Sequence, residues 1–196
     1  MRSRNRNNYE RYGDVYFITS TVAGFVDIFR HRLACDIFVD CLRFYQNRGD
    51  FTLLAWVLMP NHFHLVLKRS HNLTISQILG NIKRLAARRI GQLRISPEMC
   101  CTFDRLTLAA ALEPGNGTAL WKHRFDSLVI ISLDTLRQKV EYIHSNPVRK
   151  GLVNSPEQWP YSSAAQYAGV REDNPLPIDV DWASVGFDKM PSGKGS

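Results

Sequence analysis

Apolar residues along this chain switch between a period of two and a period near 3.6, and the switches divide it into elements. The run Asp14-Val-Tyr-Phe-Ile-Thr-Ser-Thr-Val22 is β-branched and aromatic and predicts a first strand. From Phe29 to Asn47 the spacing turns helical, with Leu33, Ile37, Leu42 and Phe44 or Tyr45 on the inner side and an end near Gly49. Phe51 to Leu58 is strand-like again. Met59-Pro-Asn61 supplies a tight connection, and the apolar run continues to Leu67, so the two runs read as a hairpin. A second helix is predicted from about Thr74 to Leu93, turning Ile75, Ile78, Leu79, Ile82 and Leu85 inward and Lys83, Arg84, Arg88 and Arg89 elsewhere. Residues Arg94 to Leu120 lose periodicity and contain Pro97, Pro114, Gly115 and Gly117, a loop or an added helical excursion. Phe125 to Ile131 predicts a fourth strand. Leu133, Leu136, Val140 and Ile143 then recur at helical spacing, with Ser132 or Asp134 as N-cap and Pro147 stopping the helix near Asn146.

Strand, helix, hairpin, helix, strand is the order of an α+β sandwich of the ferredoxin-like or RNA-recognition type, an antiparallel sheet with helices packed on one face. One domain over residues 1–171 carries the insertion at about 94–120. Residues 172–196, rich in Pro, Gly and Asp, read as a partly disordered tail. A chain of 196 residues that is 44% hydrophobic can bury a core of its own. Its formal charge of +7 and pI near 9.4 favour a polyanionic partner. Cys35, Cys41, Cys100 and Cys101 lack metal-type spacing, and the set suits a reducing cytosol. The Arg-rich start, with Arg2, Arg4 and Arg6, is followed by no long apolar segment, so neither a signal peptide nor a membrane span is expected and the cytoplasm is the default.

Candidate chemistry lies in the hairpin and the last helix. In Met59-Pro-Asn-His-Phe-His-Leu-Val-Leu67, His62 and His64 are two apart on a strand, so both imidazoles project from one face and Phe63 from the other. That is half of a metal site, or two polar residues on an open sheet face. Tyr142 and Asn146 are four apart and share a face in the last helical turn, where a phenol oxygen and an amide oxygen could approach one point. His144 faces away from them.

The combination Met-Pro-Asn-His-Phe-His, Trp121-Lys-His-Arg-Phe125, Tyr142-Ile-His-Ser-Asn-Pro-Val-Arg-Lys-Gly-Leu-Val153 and Trp159-Pro-Tyr-Ser-Ser163 resembles the IS200-like single-tyrosine transposases with a His-hydrophobic-His (HUH) motif, closest to the REP-associated branch. The resemblance runs from about Tyr9 to about Gly169. It implies the same fold, a divalent metal held by His62, His64 and Asn146, and Tyr142 on a C-terminal helix as the nucleophile. A hard cation polarises a phosphodiester and holds it in line. A phenol, with an ordinary pKa of about 10, is a more accessible oxyanion than an aliphatic alcohol. By the family's mechanism Tyr142 would join the 5′-phosphate at the nick and free a 3′-hydroxyl that can later rejoin strands, with no nucleotide cofactor. Magnesium or manganese (Mg2+ or Mn2+) is expected on family grounds, since imidazole and amide ligands do not select strongly. The expected partner is single-stranded or hairpin DNA, such as REP-like or insertion-sequence-end palindromes, bound by a monomer or a homodimer. Arg149 and Lys150, beside the proposed ligand, are the foremost candidates for phosphate contacts, followed by Lys83, Arg84, Arg88, Arg89, Lys122, Arg124 and the cluster Arg2, Arg4 and Arg6. Trp121, Trp159 and Tyr161 read as packing residues. Two competing readings are a domesticated binding module that no longer cleaves and a metal-dependent nuclease that uses water in place of Tyr142.

Overall fold

A computed structural model describes residues 14–93, 120–170, 176–180 and 182–185. The expectations for Arg2, Arg4, Arg6, Cys100 and Cys101, nearly all of the 94–120 insertion and most of the tail fall outside these residues. The elements are β1 (Val15–Thr21), α1 (Arg32–Asn47), the hairpin of β2 (Phe51–Met59) and β3 (His62–Arg69), α2 (Ile75–Gln92), β4 (Asp126–Val129), α3 (Leu133–Arg149) and a short α4 (Ala164–Tyr167). The strands form one antiparallel sheet in the order β2-β3-β1-β4. This is the expected α+β sandwich, with the histidine strand in the interior of the sheet.

Alternation on β3 assigns its two faces. Phe63, Leu65 and Leu67 join a core with Phe38 and Leu42 of α1 and Ile78, Leu79 and Ile82 of α2. Val66 belongs to a second core on the other face, with Leu54, Val57, Leu136, Val140 and Ile143. The sheet is therefore covered on both sides and not on one face as the sequence suggested, by α1 and α2 on the first and, through its own apolar stripe, by α3 on the face that carries the histidines. Each of the buried α3 side chains contributes roughly 1.5–3 kcal/mol to holding that helix down.

Two local expectations are corrected. On α1 the inner residues are Ala34, Cys35, Phe38, Val39, Cys41, Leu42 and Tyr45, while Leu33 and Phe44 are 48% and 50% exposed. The helix starts at Arg32, after a 3-10 turn at Ile28–Arg30, and its buried stripe is centred on Ala34, Phe38, Cys41 and Tyr45, so small side chains turn inward where Leu33 and Phe44 were expected. On α3 the helix passes through Pro147 and ends at Arg149. A proline in the last turn forfeits one backbone bond and does not prevent later ones, such as Lys150 N–H to Asn146 C=O at 3.0 Å. The stop is Gly151, at φ +67°, whose N–H donates to Val148 C=O while Leu152 N–H donates to Pro147 C=O, a Schellman closure. Ser132 caps the start by accepting from Thr135 N–H at 3.2 Å.

Beyond α3 the chain returns along the outer edge of β2. Leu58 N–H donates to Tyr161 C=O, Ser163 N–H to Trp56 C=O and Asp179 N–H to Leu53 C=O, which closes an edge otherwise open to pairing. Trp121 is buried, Trp159 Nε1 donates to Leu58 C=O and the Tyr161 hydroxyl to Asp36, so all three aromatics serve packing, as expected. Among the described residues no helix is long and apolar enough to cross a membrane.

Candidate metal and nucleophile site

His62 and His64 lie side by side on the α3 face, ring centroids 4.9 Å apart. A chain of polar contacts orients His62. Asn61 Nδ2 donates to Asp27 at 2.8 Å, which turns Asn61 Oδ1 toward His62 Nδ1, also at 2.8 Å. An oxygen at that position fixes the tautomer with hydrogen on Nδ1 and leaves the Nε2 lone pair free. His64 is buried, its Nδ1 2.8 Å from Thr19 Oγ1 on β1, its cross-strand neighbour. His64 Nε2 is buried with no hydrogen-bond partner. A buried orphan on an imidazole calls for an occupant, since such groups are normally satisfied. Burial pushes the His64 pKa down to about 3, assisted by His62 and Lys139, and burial with Lys150 lowers that of His62 against an opposing pull from Asp27. Both rings are neutral near pH 7, the form that donates to a metal.

Tyr142 comes to this pair from α3. Its ring meets His64 edge-on at 5.4 Å and Phe17 at 5.9 Å, and Phe17 is itself stacked on His64 at 5.5 Å. The tyrosine is 36% exposed, open to a substrate along one side. One turn later Asn146 is buried, and its Nδ2 donates to Tyr142 C=O at 2.9 Å. That bond commits the amide nitrogen to the helix and turns Oδ1 away from it. Among the described residues no three His, Cys, Asp or Glu side chains gather as a metal cluster, and the Asn146 amide is a donor of another type. His144 points elsewhere, as expected, with Nε2 2.8 Å from Ser163 Oγ.

The basic candidates divide between the two faces. Arg149 lies over the Tyr142 ring at 5.3 Å, and Lys150 is close enough to His62 to disfavour its charge. Lys83, Arg84 and Lys122 instead line an open groove of about 520 Å3 between α2 and the 120–125 segment, on the side of α1 and α2. There the Lys83 ammonium donates to Lys122 C=O at 2.9 Å and Lys122 Nζ sits 3.3 Å over the Phe25 ring. Arg88 and Arg124 are exposed. Sequence reasoning missed Phe17, Thr19 and Lys139. Lys139, three residues before Tyr142 on one helical face, was the one with a readable signal. Phe17 and Thr19 depend on which strand lies beside β3.

Residues 27–97 match the family model described as "Transposase IS200 like". The chain resembles these transposases in sequence and in fold. The matched segment contains both histidines and ends before Tyr142. A candidate REP-associated tyrosine transposase of Haemophilus influenzae is 27% identical over 113 residues, and the match spans 58% of each protein. The structure of a REP-associated tyrosine transposase bound to a REP hairpin superposes with a TM-score of 0.55 at 20% identity, covering 89% of this chain and 92% of that one. A candidate transposase from Deinococcus radiodurans gives 0.45 at 22% identity, covering 73% of this chain and 95% of that one.

Proposed function

We propose that the protein cleaves and rejoins single-stranded or hairpin DNA through a covalent 5′-phosphotyrosine at Tyr142, beside a divalent cation held by His62, His64 and Asn146. The observation that carries this reading is the contact of Tyr142 with a neutral histidine whose buried Nε2 has no partner. The donor set fits a cation on that ground: free imidazole nitrogens on one strand and an amide whose nitrogen is already spent. Such a cation, magnesium or manganese, supplies Lewis-acid polarisation of the phosphate when bound.

The residues of the chain do the rest. Thr19, Phe17 and the Asp27–Asn61 relay hold the imidazoles, and α3 presents the phenol to the scissile phosphate. Tyr142 Oη loses its proton to solvent and attacks phosphorus, a Tyr–O–P bond forms, the P–O3′ bond breaks and the departing 3′-oxygen takes a proton from solvent. The reverse attack by a 3′-hydroxyl on the phosphotyrosine rejoins strands and regenerates the phenol, so no nucleotide cofactor enters. Arg149 and Lys150 contact phosphates next to the nick. A structural neighbour bound to a REP hairpin supports a hairpin substrate. The reading is tested by incubating the protein with labelled hairpin DNA from the flanks of its own gene, with and without manganese. Cleavage that needs manganese and is lost in His62→Ala and His64→Ala supports it, and cleavage that survives both substitutions refutes the assigned ligands.

A further inference from the structure

Lys139, Tyr142, Asn146 and Arg149 follow one another at steps of three, four and three along α3, so they form a single stripe. Two of them are cations, one on each side of the tyrosine along the helix axis. Lys139 is half-buried, and its stem does not run out to solvent: Nζ lies 4.9 Å from the Phe17 ring centre and 5.8 Å from that of Tyr142. Phe17 is the ring stacked on His64, and the Lys139 charge reaches that histidine, where it disfavours protonation. None of the ion pairs among the described residues involves Lys139. An ammonium held over the nucleophile with no carboxylate beside it is placed for an anion that arrives with the substrate. A salt-bridged lysine would not be available to one.

We propose that Lys139 is a further catalytic residue, which binds a non-bridging oxygen of the scissile phosphate on the side of Tyr142 opposite Arg149 and steadies the charge that builds there during attack. The assignment rests on the phosphotyrosine reading above. The bonds made and broken are those of that reading, and Lys139 transfers no proton: it remains an ammonium and contributes hydrogen bonds and charge. Because the oxyanion gains charge as the Tyr–O–P bond forms, the contact strengthens in the transition state, and its loss falls mainly on the rate of the chemical step rather than on DNA affinity.

The test uses the full chain, manganese and labelled hairpin DNA from the flanks of its gene. The single-turnover rate of denaturation-resistant adduct formation is measured at saturating DNA for wild type, Lys139→Met and Lys139→Arg. Affinity for the same DNA is measured in a Tyr142→Phe background. Methionine keeps the stem on Phe17 and removes only the charge, so folding is preserved. Lys139→Met is expected to slow adduct formation by about a hundredfold while changing affinity by less than about tenfold, and Lys139→Arg to recover most of the rate. An unchanged rate in Lys139→Met, or an arginine variant as slow as the methionine one, overturns the role of Lys139 and leaves the phosphotyrosine reading standing. No adduct with wild-type protein overturns both.

Discussion

At the scale of single residues the site is a set of neutral groups held in readiness by their neighbours. His64 is buried and His144 half-buried, and desolvation depresses their pKa values to about 3 and about 4. In the unfolded chain they would titrate near 6.5, so between that pH and their folded values the unfolded state binds more protons. Stability from these two groups is thus fully present above pH 6.5 and is lost as the pH falls toward 4, at up to about 1.4 kcal/mol per pH unit for each histidine. Urea unfolding of the metal-free protein at pH 7 and pH 4.5 should show this loss, and His144→Gln should reduce the pH dependence by about one proton. An equally steep dependence in that variant contradicts the assignment of His144 as a neutral ring in the folded protein. The common face of His62 and His64 was legible in the sequence because strand alternation leaves no freedom in it. The partners that hold the His64 ring were not. Thr19 and Phe17 act through the β1–β3 register, a non-local pairing that no local pattern encodes.

At the scale of elements, the position of α3 on the sheet decides whether Tyr142 meets the histidines. Its apolar stripe, legible as Leu136, Val140 and Ile143, seats it on Leu54, Val57 and Val66. Its end was misread because proline is the stronger stop signal in a sequence, whereas in the last turn it removes a single bond and Gly151 supplies the closure. The tie between α3 and the chain after Trp159 was invisible from either segment alone. Ser163 is fully buried, and its hydroxyl accepts from Trp56 N–H at 3.0 Å and meets His144 Nε2 at 2.8 Å. One hydroxyl therefore pins the helix of Tyr142 to strand β2. Ser163→Ala leaves a buried backbone N–H and a half-buried ring nitrogen without this partner, and is expected to destabilise the protein by about 1–3 kcal/mol. The denaturant midpoint reads this directly. A midpoint equal to that of wild type would mean that the tie does not anchor the helix.

At the scale of the whole molecule, the sheet separates two basic surfaces. On the histidine face Lys139, Arg149 and Lys150 surround the tyrosine and the imidazoles, and on the other face Lys83, Arg84 and Lys122 line a groove. The net charge of +7 was plain from composition, but its division between two faces required the fold. If Arg149 and Lys150 each neutralise one phosphate of a single strand, Arg149→Ala and Lys150→Ala should each lower the slope of log affinity against log salt by about 0.7. Titration of hairpin DNA between low and physiological salt checks this, and slopes unaltered from wild type would move the DNA path away from the α3 terminus.

The proposed reaction leaves DNA bonded to Tyr142. Incubating the protein with manganese and flank hairpin DNA, digesting the products with nuclease and protease, and weighing the peptide that contains Tyr142 detects that bond. That peptide should carry a nucleotide through its 5′-phosphate, and Tyr142→Phe protein should yield neither the modified peptide nor a cleaved strand. Cleaved DNA with free 5′-phosphate ends, beside an unmodified Tyr142 peptide in wild type and undiminished cleavage in Tyr142→Phe, would contradict this reaction and identify a nuclease that uses water at the same histidines.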